Sequence, residues 1–156
     1  MYAKRHKDSY SAIFWLNIKD EDSLRQSFAK VTKQILREHL SASRLSSVDM
    51  KGDLDEAIDA VKSWLSLPNN TQWLVIYDNY GNPKLRGSTD PAALDVRKFL
   101  PESYQGSVII TTRSSQVQIG YLILVRKLEK VSDSLEILSN ISRREGLVDS
   151  KECPQL

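Results

Sequence analysis

Three apolar runs of strand length punctuate the chain. Ser11-Ala-Ile-Phe-Trp-Leu-Asn-Ile18 and Trp73-Leu-Val-Ile-Tyr-Asp78 are almost unbroken in apolar residues, and Ser107-Val-Ile-Ile-Thr-Thr112 is β-branched at five of its six positions. Such runs predict strands buried on both faces, as in a parallel sheet. Between the first two runs the period lengthens to that of a helix. Lys19-Asp-Glu-Asp22 supplies acids for a helix N-terminus, and Leu24, Phe28, Val31, Ile35 and Leu36 follow as one stripe. A second stripe, Leu54, Ala57, Ile58, Val61, Trp64 and Leu65, stops at Leu67-Pro-Asn-Asn70. The serine-rich stretch 41–52 between the two helices has no core-forming pattern and reads as a connection.

Beyond Asp78, residues 79–91 are polar and hold two glycines and two prolines, the composition of a surface loop near a site. Residues 95–100 read as a short helix before Pro101, and 121–125 as a fourth, shorter strand. Val131, Leu135, Leu138 and Ile141 mark a last helix running to about Gly146. Residues 2–9 read as the tail of a helix, with Lys4, Arg5 and Lys7 as its solvated end rather than a targeting patch. The succession strand, helix, helix, strand, strand, strand, helix predicts an α/β domain with a mostly parallel sheet and flanking helices.

Composition adds bounds. With 156 residues, 40% hydrophobic and 27% charged, the chain suits one ordinary globular domain. A formal charge of +2 demands neither nucleic acid nor an acidic membrane as partner. Cys153 has no second cysteine to pair with, which points to a reducing compartment. His6 and His39 lie far from any acidic cluster at ligand spacing, so no metal site is assigned to them. No apolar run reaches membrane-span length and no signal-peptide core follows the basic start, so a soluble cytoplasmic protein is expected.

The candidate chemistry lies where two strand runs end. Asp78 follows one and Arg113 follows another, and in a parallel sheet all C-terminal ends lie along one edge, where ligands bind. A carboxylate there can hold Mg²⁺ through water, and a guanidinium can bind terminal phosphate oxygens. Thr111, Thr112, Ser114 and Ser115 add hydroxyls nearby. Two plainer readings stay open: Asp78 opens a turn, or Asp78 and Arg113 form a structural ion pair.

These residues carry a resemblance. Asp78 after Trp-Leu-Val-Ile-Tyr resembles a Walker B segment, and Gly106-Ser-Val-Ile-Ile-Thr-Thr-Arg113 is similar to the sensor segment of NB-ARC domains, nucleotide switches of the STAND class. Phe14-Trp-Leu-Asn, Asp22-Ser-Leu, Trp64-Leu, Phe99-Leu-Pro and Val125-Arg-Lys-Leu extend the likeness, which is greatest to fungal repeat-bearing members. It covers about residues 1–146 and leaves 147–156 as a tail. The resemblance implies a P-loop NTPase-like, three-layer α/β fold and a switch that binds ADP or ATP with Mg²⁺. Asp78 would serve the metal and Arg113 and Thr112 the phosphates, with Asn79, Thr111 and Ser114 in support. Partners would be the nucleotide and, through flanking domains, a second copy or another protein.

The sequence departs from that pattern. Nothing in it fits the phosphate loop Gly-x-x-x-x-Gly-Lys-Ser/Thr, and the family's Gly-Leu-Pro-Leu segment is also absent. The chain therefore reads as the middle of such a domain. Asn79 stands where related domains can carry a second acid, and an amide cannot act as general base, so fast hydrolysis is not expected. Losing three charge-assisted phosphate contacts at about 1.5–3 kcal/mol each removes roughly 4.5–9 kcal/mol, so no measurable binding by the isolated chain is expected. The alternative function is a degenerate remnant that serves as an interaction module without nucleotide.

A further expectation concerns stability. The resemblance implies that the strand before the phosphate loop lies between the strands ending in Asp78 and Arg113. Its absence would leave a gap of about 10 Å between two unpaired edges, or force those edges together and move the charges.

Overall fold

The computed structural model describes residues 6–38, 54–103, 105–127 and 129–142. The readings made for the connection at 41–52, for Lys4, Arg5, His39 and Cys153, and for residues 143–156 lie outside the described residues. Two compact units divide the chain, Met1–Val117 and Gln118–Leu156.

In the first unit the elements run β1 (Ala12–Asn17), α1 (Glu21–Glu38), α2 (Leu54–Leu65), β2 (Trp73–Tyr80) and β3 (Ser107–Thr112). Short 3₁₀ turns occupy Lys7–Ser9 and Val96–Phe99, the second where a short helix is predicted. The strands form one sheet in the order β1-β2-β3, with both pairs parallel, so the fold is α/β with flanking helices. β2 is central, and all five residues from Trp73 to Tyr77 are buried, as continuous apolar character requires of a strand covered on both faces.

The register sorts side chains to faces. Phe14, Val75 and Val108 share one face with Leu16, Tyr77 and Ile110, while Trp15, Ile76 and Ile109 lie on the other with Asn17 and Asp78. The two helices cover the first face. Phe14 meets Trp64 of α2 edge-on with ring centroids 5.8 Å apart, and Phe28 of α1 lies 6.3 Å from Phe99. The Tyr77 hydroxyl donates to the Phe99 carbonyl at 2.6 Å, and burial pushes its pKa up. Leu24, Phe28, Val31 and Ile35 of α1 are buried, as are Ala57, Ile58, Val61, Trp64 and Leu65 of α2, so the helical stripes fall where their spacing places them. Asp20 caps α1 by accepting the Ser23 N–H at 2.7 Å, a bond that lowers its pKa. At the far end of α2 the last carbonyls are satisfied by side chains: Asn70 Nδ2 donates to Trp64, and Trp73 Nε1 and Gln105 Nε2 both donate to Leu65.

Four expectations change. β2 and β3 are hydrogen-bonded neighbours, with Val75 opposite Val108 and Tyr77 opposite Ile110, so no gap for a missing strand lies between them. Their facing N–H and C=O groups satisfy one another, and any added strand would have to pair outside this ladder. β1 is buried on one face only: Ala12, Phe14 and Leu16 are buried while Trp15 is 55% exposed. β3 is an edge strand, half-buried rather than buried on both faces. Finally, 121–125 forms no strand. These residues, from Tyr121 to Val125, lie in the second unit, are 68–101% exposed, and have no ladder partner among the described residues, and strand propensity without a partner gives no strand. The described helix of the second unit is α3 (Val131–Ser142), which begins where its apolar stripe begins.

Gly106 precedes β3 for a packing reason. A Cβ built there would lie 2.1 Å from the ring of Trp73, which is 1% exposed, whereas a Cβ at Gly81 meets nothing closer than 3.9 Å. The ring is held by its bond to Leu65 and cannot withdraw without losing it. Gly106→Ala is expected to lower stability by about 1–3 kcal/mol in urea unfolding, and Gly81→Ala to change it little. Equal midpoints for the two variants would contradict this packing account.

Candidate functional site

The C-terminal ends of the three strands meet around a cleft of about 500 Å³. Trp15 and Asn17 enter it from β1, Asp78, Asn79 and Tyr80 from β2, Gly81 from the loop that follows, and Thr111, Thr112 and Arg113 from β3 and its end. Asp78 and Arg113 thus line one cleft at the ends of parallel neighbours, as the paired strand ends predict. They make no ion pair with each other, and among the described residues Arg113 has no carboxylate partner. The structural ion-pair reading is not met.

Nor does the chain turn at Asp78. β2 continues to Tyr80 through a bulge: between the pairs Tyr77–Ile110 and Tyr80–Thr112, β2 carries two residues, Asp78 and Asn79, and β3 carries one, Thr111. Asn79 takes φ 71°, a left-handed conformation that asparagine tolerates better than most side chains. The bulge brings Thr111 between the two. Its hydroxyl donates to Asp78 Oδ1 at 2.5 Å and accepts the Asn79 N–H at 3.0 Å. The Asp78 carbonyl accepts the Ile18 N–H at 2.8 Å, which ties the end of β1 to the same point. Asp78 Oδ2 has no hydrogen-bond partner among the described residues and is the oxygen free to meet a cation.

The remaining predicted residues are placed less directly. Thr112 lines the cleft, but its hydroxyl donates to the Tyr80 carbonyl at 2.7 Å and accepts the Ser114 N–H at 3.0 Å. Ser114 does not line the cleft and acts by fixing that hydroxyl. Asn79 contributes a backbone shape more than an amide. The loop after β2 is pinned at its neck: Leu94 donates to Asn82 at 3.0 Å and Lys84 to Leu94 at 2.9 Å. The Tyr80 hydroxyl donates to the Leu94 carbonyl at 2.6 Å, and burial raises its pKa. The loop is therefore held beside the cleft, with Gly81 at its start.

The arrangement offers one carboxylate oxygen and an exposed guanidinium within a shared polar hollow, a pairing suited to a cation bridged to an anion. Two backbone donors at this edge are already used, since the Asn79 and Ser114 amides donate to the Thr111 and Thr112 hydroxyls. No group of three His, Cys, Asp or Glu among the described residues could hold a metal, so a cation at Asp78 would draw its other ligands from water or from its counter-anion. Trp15, Asn17, Tyr80 and Gly81 were not singled out by the sequence. For the first two a signal existed: Ser11 and Asn17 share parity with Trp15 and mark that side of β1 as wetter than the side of Ala12, Phe14 and Leu16.

Asn79 supplies the test of the bulge. Asn79→Gly is expected to leave the unfolding midpoint unchanged or raised, and Asn79→Val to cost about 1–2 kcal/mol, since a β-branched residue resists positive φ. A valine variant as stable as the parent would show that this backbone shape is not required.

Within the described residues no helix is long and apolar enough to cross a membrane. Comparison of the chain with protein-family models, with curated proteins and with solved structures gives no match.

Proposed function

We propose that the cleft is the metal and phosphate part of an ADP- or ATP-binding site in a cytoplasmic signalling switch of NB-ARC type, on a fold of the P-loop NTPase kind. The observation that carries this reading is the convergence of Asp78 and Arg113, unpaired with each other, at the C-terminal ends of adjacent parallel strands. Asp78 Oδ2 would hold Mg²⁺ through water, and Arg113 would make charge-assisted bonds to the terminal phosphate. Thr112, Asn79, Thr111 and Ser114 shape this end of the sheet through the bonds described above. Among the described residues no second acid lines the cleft beside Asp78 to act as base, so the reading is of a binding switch with slow hydrolysis at most. A switch of this kind would act by assembling with a second copy or another protein, and neither nucleic acid nor a membrane enters the reading.

A second reading has its own support. The Thr111 hydroxyl already occupies one Asp78 oxygen, and the nearby amides are engaged, as in a remnant that keeps the shape of a site and serves as an interaction module. The two readings differ in a titration of the chain with Mg²⁺ and ADP followed by amide NMR shifts. With Asp78 and Arg113 in one cleft, the nucleotide reading expects weak saturation in the millimolar range, equivalent to about 4 kcal/mol, whereas the sequence expectation of no measurable binding is the outcome of the module reading. It also expects loss of the Mg²⁺ dependence in Asp78→Ala and at least about tenfold weakening in Arg113→Ala. Absence of saturable shifts favours the module, and shifts unaffected by either variant would place binding elsewhere.

A further inference from the structure

Trp15 is the lining residue that the phosphate chemistry leaves unexplained. It is 55% exposed, while Trp64 and Trp73 are 8% and 1% exposed. Its indole N–H makes no hydrogen bond among the described residues, and no aromatic ring stacks on it there. In the register it stands opposite Ile76, one pleat before the Asn17–Asp78 pair and on the same face, so its ring forms the apolar wall of an otherwise polar cleft. Thr111, Thr112 and Arg113 line the far side from the third strand, two strand spacings or about 10 Å away. The cleft thus runs across three strands, with the indole on the β1 side, the free Asp78 oxygen on the middle strand and the Arg113 guanidinium on the far side. Its polar end suits an anion and its apolar end suits a planar ring.

We propose that Trp15 is the platform on which the base of a nucleoside diphosphate stacks while its phosphates reach Asp78 and Arg113. This rests on the nucleotide reading and extends it to the base. Stacking on an indole is tolerant of base identity, because every base has a π-face, so the ligand class is nucleoside diphosphates without a preference for adenine. Stacking also supplies a contact remote from the phosphate end, where the Asn79 and Ser114 amides are already engaged.

The test compares Mg²⁺-pyrophosphate with Mg²⁺-ADP by NMR titration of the parent chain, Trp15→Leu and Trp15→Phe. Leucine keeps apolar cover over Ile76 without an aromatic face, and phenylalanine keeps a smaller one. ADP is expected to bind the parent about 5–150-fold more tightly than pyrophosphate, with the indole N–H signal of Trp15 shifting on ADP alone. In Trp15→Leu the ADP affinity should fall to that of pyrophosphate, with pyrophosphate unchanged, and Trp15→Phe should recover part of the difference. Equal binding of the two ligands by the parent, or equal weakening of both in Trp15→Leu, would overturn the stacking role while leaving the phosphate reading intact. Binding of neither ligand would overturn both.

Discussion

β2 is hydrogen-bonded on both sides, and the two parallel ladders around it set the geometry of everything nearby. A strand with five successive buried side chains cannot leave its amides to water, so each N–H and C=O must find a neighbour at a cost of about 1–3 kcal/mol per failure. Pairing with β1 and β3 meets that demand. Parallel pairing then has a second effect, because it brings three C-terminal ends to one edge however far apart they are in sequence. Trp73 fixes the start of the ladder from below: its ring fills the space above Gly106 and its indole N–H closes the end of α2.

At the other end of the ladder the pairing is imperfect, and the imperfection shapes the cleft. One extra residue in β2 turns Asp78 towards the Thr111 hydroxyl, which then serves carboxylate and backbone together. That hydroxyl has opposing effects on a ligand site. It orients Asp78 in advance, which favours binding, and it occupies an oxygen, which lowers the number of positions a cation can use. Arg113, one residue past the strand and exposed, carries no such internal tie among the described residues. The cleft is therefore firm on the acid side and adjustable on the cationic side, an order that suits a metal-bound anion whose position is set by the metal.

Particular residues show why some of this was legible in the sequence and some was not. Trp73 to Tyr77 read as a doubly buried strand because no polar residue interrupts them, and β3 was bounded correctly because β-branching fills it. The helix stripes followed from spacing alone. Adjacency was not legible: apolar character says that a strand is buried and not which strand covers it, so the direct pairing of β2 with β3 emerged only from the fold. For Tyr121 to Val125 propensity suggested a strand, but propensity carries no information about partners. Asn79 was read for its side-chain chemistry, whereas the structure uses its tolerance of positive φ. Trp15 reads as buried because the apolar run around it is nearly continuous, and only the parity of Ser11 and Asn17 points otherwise.

If the ends of β2 and β3 together form a place for a metal-bound anion, a paramagnetic ion reports on it most directly. With ADP present and Mn²⁺ in place of Mg²⁺, amide signals near the bound metal broaden first. The expected set is Asn17, Asp78, Asn79, Thr111 and Arg113, drawn from all three strand ends. Broadening centred on another acidic surface, such as Glu21 and Asp55 where Arg25 joins α1 to α2, or no selective broadening at all, would contradict it.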